Sequence, residues 1–113
     1  MKVIAKRTAV HAGDDPDILK FDMADDAAPE DVLRRAMDKR WLPSIQGDRA
    51  TWSIVADEPL AIGALEWPEL KFLPFFADRM APTNGVLRLH FNYHAQIDPD
   101  VVYAIFWGTK WRA

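Results

Sequence analysis

The sequence predicts an α+β domain: a mostly antiparallel sheet of about five to six strands with one main helix, in the order β-β-α-β-β-(irregular)-β-β. Three observations carry that prediction. Leu87, Leu89, Phe91 and Tyr93 alternate with Val86, Arg88, His90, Asn92 and His94, which is the period-2 pattern of a strand with one buried face. Val32, Leu33, Ala36, Met37 and Trp41 instead recur at the spacing of an amphipathic helix. Between such runs Gly, Pro, Asn and Asp gather at 12–17, 57–59 and 84–85, the residues from which turns are built.

Val3 to Val10 and Ile18 to Met23 form the expected first hairpin, with Leu19, Phe21 and Met23 on one face of its second strand. In the first strand Lys6 and Thr8 share a face with Ile4 and Val10, so its alternation is imperfect. The helix is expected over 28–41. Pro29 suits its first turn, where a missing N–H costs nothing, and Pro43 stops it. Asp25, Asp26, Glu30 and Asp31 stand near its start and Arg34, Arg35, Lys39 and Arg40 toward its end, as the helix dipole favours. Glu30–Arg34 and Asp31–Arg35 are i,i+4 pairs.

Thr51 to Ala56 and Leu60 to Trp67 are expected to pair across the turn Asp57-Glu58-Pro59, with Gly63 a weak point or a bulge. Pro68 to Met80 is irregular, since Pro74 interrupts any long helix. One or two short helical turns there would carry Leu70, Leu73, Phe75 and Phe76 onto the sheet. Val101 to Trp107 is β-branched and aromatic on both faces, and reads as a central strand returning beside Val86–His94 in a long hairpin.

An opening hairpin followed by an amphipathic helix resembles the ubiquitin-like β-grasp fold. The resemblance covers about the first 42 residues, is one of pattern, and implies fold rather than function. The chain ends Lys110-Trp111-Arg112-Ala113 rather than in the Gly-Gly of ubiquitin-type modifiers, so a conjugated modifier is not expected.

At 113 residues, half of them apolar, the chain has the size and balance of one globular domain. It has no cysteine, which excludes disulfides and thiolate chemistry and leaves His, Asp and Glu as side-chain metal ligands. A net charge of −3 without a Lys/Arg cluster lacks the electrostatic footprint of a nucleic-acid binder. No signal-peptide core or membrane span is legible, and the cytoplasm is the expected location. Five tryptophans, Trp41, Trp52, Trp67, Trp107 and Trp111, suit both a core and an interface.

The candidate binding residues are Arg88, His90, Asn92 and His94, projecting from one strand face at spacings of two. His90 and His94, about 13 Å apart along an extended strand, meet one metal only if the strand bends and a third ligand arrives from Asp98, Asp100 or His11. Without a metal, the same stripe suits an anion or an acidic partner, with Arg supplying forked donors. Nucleophilic catalysis is poorly supported: the only serines, Ser44 and Ser53, lie outside any Gly-x-Ser-x-Gly elbow. No Gly-rich phosphate loop is present, and no cofactor is expected.

A second candidate surface is the apolar stretch Leu65 to Phe76, with Trp67, Leu70, Phe72, Phe75 and Phe76. It is core if it covers the sheet and a contact surface if it stands out. The expected function is a small non-catalytic protein-interaction domain, adaptor-like or like an inhibitor such as a toxin's immunity partner. It would act through a sheet face, a sheet edge or this aromatic surface on a protein partner, which a second copy of the chain could supply. The alternative is a ligand-binding or metal-dependent enzyme domain using Arg88, His90, Asn92 and His94.

Overall fold

The structure, a computed structural model, describes residues 1–9, 18–37, 42 and 49–111. Strands β1 (Lys2–Arg7) and β2 (Leu19–Asp22) precede helix α1 (Pro29–Ala36). Strands β3 (Thr51–Ala56), β4 (Glu58–Ala64), β5 (Lys71–Phe72) and β6 (Val86–Tyr93) follow, then helix α2 (Pro99–Trp111). The six strands form one sheet in the order β2-β1-β6-β3-β4-β5. Every pairing is antiparallel except β1 with β6, which run parallel. The α+β class and the mostly antiparallel sheet hold, and a hairpin followed by a helix opens the chain, but two helices stand where one main helix was expected. The turn at 12–17, Pro43, and Trp41 at the end of the helical stripe lie outside the described residues.

The alternation read in β6 sets the architecture. Leu87, Leu89 and Phe91 are buried on one face, together with Val3 and Ala5 of β1 and Trp52 and Ile54 of β3. Val32, Leu33 and Ala36 of α1 close over them. Pro29 stands in the helix's first turn, as expected. The predicted i,i+4 pairs give way to others. Arg34 pairs with Asp31 at 3.3 Å and Glu69 at 3.5 Å, while Arg35 lies over the Phe21 ring at 4.7 Å and donates to the Asp22 carbonyl. Arg34 keeps a helix-surface partner one place nearer, while Glu69, Phe21 and the Asp22 carbonyl are tertiary partners that displace exposed i,i+4 pairs worth a few tenths of a kcal/mol.

Asn84 and Gly85, both at positive φ, make a tight turn closed by reciprocal Thr83–Val86 backbone hydrogen bonds, as the Asn-Gly pair foretells. Gly63 is not at a bulge. The register slips at Ile54/Val55 instead, and Gly63 serves close packing: a Cβ there would stand 2.8 Å from the ends of both Leu70 and Met37.

The largest correction is at 99–111. The expected central strand Val101–Trp107 is helix α2, and β6, flanked by β1 and β3, is itself central. The start of α2 has a clear local cause. The Asp98 carboxylate accepts the Asp100 backbone N–H at 2.9 Å, and Pro99 sits in the first turn, a side-chain cap followed by a preset φ. Lesser corrections are that β4 ends at Ala64 rather than Trp67, and that 68–80 supplies a two-residue strand and one 3-10 turn, Phe76–Arg79.

Helix α2 lies on the sheet face opposite α1. On that face Ser53, Ile62 and Ala64 are buried, as is Val102 of the helix. Thr51 Oγ1 donates to the Ile97 carbonyl at 2.6 Å, Tyr103 Oη donates to the Phe72 carbonyl, and Lys71 pairs with Asp100 at 2.7 Å. These contacts hold the helix over β3, β4 and β5. Among the described residues β2, β1 and the first part of β6, as far as His90, carry exposed side chains on the same side.

Candidate functional site

The stripe Arg88, His90, Asn92, His94 divides where α2 begins to cover it. Arg88 and His90 are exposed on β6, Asn92 is half-buried, and His94 is half-buried beside α2. His90 Nε2 lies 3.4 Å from the Thr8 hydroxyl. His94 Nε2 is 2.8 Å from Ser53 Oγ, and the His94 ring meets Phe106 of α2 edge-on at 5.8 Å. Among the described residues no cluster of three or more His, Asp or Glu side chains could hold a metal ion. Asp98, one proposed third ligand, accepts the Asp100 N–H, Asp100 pairs with Lys71, and His11 lies outside the described residues.

The Ser53–His94 contact was not foreseen, because the two are 41 positions apart and meet only through the β3–β6 register. A hydroxyl against an imidazole has the composition of a nucleophile and its base. Ser53, however, has no exposed surface, so no substrate can reach it in this conformation, and the pair acts as a polar tie between β3 and the end of β6.

Burial pushes the His94 imidazole below the usual histidine value, because the charged form gives up hydration. The sign of its effect on stability follows. The unfolded chain protonates near pH 6.5, whereas the folded chain resists the proton. The contribution of His94 is therefore complete above about pH 6.5 and is lost as the pH falls through the lower folded value. Urea midpoints measured at pH 7 and pH 5 should fall with acidity in the wild type, and fall less in His94→Gln. Equal losses in the two proteins would refute this account.

The aromatic stretch makes many contacts within its own chain. Phe72 and Phe76 stack at 4.7 Å, Arg34 lies over Phe72 at 5.5 Å, and Lys71 lies over Trp67 at 4.5 Å. Trp67, Leu70, Phe72 and Phe76 are half-buried, and only Phe75 of the five is exposed. Four other exposed apolar side chains, Ile97, Val101, Ile105 and Trp107, lie on α2 and the loop before it. Reading this segment as a central strand had hidden them.

The open strands carry a second group that sequence reading missed. Lys2, Ile4 and Lys6 of β1 share a face with Lys20 of β2 and with Arg88 and His90 of β6. The imperfect alternation of β1, with cations beside Ile4, was its signal. Comparison with protein-family models, with characterised proteins and with solved structures finds no match to this chain. Its function is therefore read from these surfaces alone.

Proposed function

We propose that this chain is a small non-catalytic protein-interaction domain of the cytoplasm, adaptor- or inhibitor-like, whose contact surface is the outer face of α2. One observation carries the proposal. From Val101 to Trp107 the helix is apolar around its circumference, with Val102 buried while Val101 and Ile105, one turn apart, are 47% and 59% exposed. Ile97 at 53% and Trp107 at 46% extend the patch. A helix apolar on all sides is normally covered on all sides, and contiguous exposed apolar surface marks a contact site. The cysteine-free composition suits a reducing compartment, and among the described residues no helix is long and apolar enough to cross a membrane.

The absence of native cysteine makes a direct test simple, since Val101→Cys carries the chain's single thiol. Labelled there with a photoactivatable maleimide and illuminated in an extract of the source cells, the protein should yield a discrete adduct. Adding Ile105→Glu should abolish it, because a carboxylate in an apolar contact is left without a partner. An adduct of twice the chain mass means a second copy, and any other mass a different protein. The proposal fails if Val101→Cys gives no more adduct than a label at Asp78→Cys, an exposed polar site on the 3-10 turn.

A further inference from the structure

We infer that the open half of the sheet, on the side where α2 lies, is a docking site for an acidic segment of a partner protein that carries aliphatic side chains between its carboxylates. The strand register builds this site. Ile4 is paired on one side with Lys20 and on the other with Arg88, so a half-buried aliphatic residue lies between two cations. Each cation is about 4.8 Å of strand spacing away. One step along, Lys6 is paired with His90, and His90 with Val55. Lys2 continues the row on β1.

Between these side chains lies a depression of about 250 Å³ lined by Ile4, Lys6, Val55, Asp57, Arg88, Leu89 and His90. In its lining Ile4 and Val55 are half-buried, while Arg88 and Lys6 are exposed.

Charge complementarity selects the occupant. Lys2, Lys6, Lys20 and Arg88 form no ion pair or side-chain hydrogen bond among the described residues. Among the described residues two carboxylates oppose them, Asp22, opposite Lys2 in the β1–β2 register, and Asp57, which lines the depression. The patch is therefore a local cationic surface on a chain whose net charge is −3. Lys2 and Lys6, about 13 Å apart along β1 with Ile4 between them, match carboxylates at positions i and i+4 of an extended chain. An aliphatic residue at i+2 of that chain, on the same face as the two carboxylates, would then lie over Ile4. A nucleic acid fits less well, because a continuous line of phosphates would meet Asp22 and Asp57 here and repulsion from the acidic remainder of the surface.

The ¹⁵N-labelled protein is titrated with three probes: an acetylated Glu-Ser-Leu-Ser-Glu-Ser-Leu peptide, an all-Glu peptide of the same length, and a single-stranded oligonucleotide. The first peptide should shift the amide resonances of Ile4, Lys6, Arg88 and His90. Its affinity should exceed that of the all-Glu peptide and weaken with added salt, as an exposed ionic site requires. Reversing two of the lining charges, Lys6→Glu with Arg88→Glu, should weaken binding about tenfold, two ion pairs being replaced by repulsions. Ile4→Ser should erase the preference for leucine.

The double charge variant alters exposed side chains, and an unchanged spectrum away from the patch verifies its fold. No shifts at millimolar peptide, shifts indifferent to charge reversal, or tighter binding of the oligonucleotide would each overturn the inference. The result is independent of whether the outer face of α2 is covered, because the two surfaces share no residue.

Discussion

Phe91→Ala is expected to cost about 3–5 kcal/mol, the range for deleting a buried aromatic ring whose site cannot collapse. Phe91 is wholly buried on β6, the strand that joins the two halves of the sheet, with Arg7 and Ile54 as its cross-strand neighbours. Helix α1 closes the same core from above, so strands on both sides and a helix would have to move together to fill the void. Domains of this size are stable by about 5–15 kcal/mol in total, and the loss should lower the thermal midpoint by about 10–25 °C. Circular dichroism melting measures it directly. The neighbours supply the control. His90→Ala and Arg88→Ala alter the opposite, exposed side of the same strand and should change stability by no more than about 0.5 kcal/mol. A shift of under 5 °C for Phe91→Ala, judged against those estimates, would mean that the core is not where the alternation of β6 places it.

That alternation shows what was legible in the chain. A strand with one buried face writes its geometry into residue parity, so β6 could be read down to the side on which each residue stands. Helix α1 was legible for a similar reason, through its apolar stripe, Pro29 and the order of its charges. Segment 99–111 was not, because its two signals conflict. Val101, Val102, Ile105, Phe106 and Trp107 have strand propensity, whereas Asp98 and Pro99 are a helix start. The cap decides locally, and burial of Val102 against the far face of the sheet completes the choice. The error then spread to the candidate site, since α2 as a strand leaves His94 in an open stripe, while α2 as a helix covers it. The parallel β1–β6 pair was equally hidden: it joins residues more than 80 positions apart, beyond the reach of any local pattern. With it went the basic patch, whose members come from three strands.

Val102→Asp is the second substitution of large effect, and it separates α2 from the rest of the fold. Val102 is a buried side chain of α2, as is Pro99 in its first turn, and a carboxylate at 102 would be buried without a partner, at a cost of about 3 kcal/mol or more. The chain has a way to avoid that cost. The core under α1 does not include Val102, so the helix can lift from β3 and β4 while the sheet and α1 stay folded, an opening of one cooperative unit. Circular dichroism should then show loss of helix equivalent to the 13 residues of α2, with a cooperative melt of the remainder. His94 reports the same event from the other side of the contact. Freed from Phe106 and returned to water, its imidazole should titrate closer to the solvated value of about 6.5. The amides of Ile4 and Arg88, on the open strands, should hardly move. Global unfolding of the variant would show instead that α2 and the sheet form a single cooperative unit. An unaltered His94 titration would show that burial beside α2 is not what holds its pKa down.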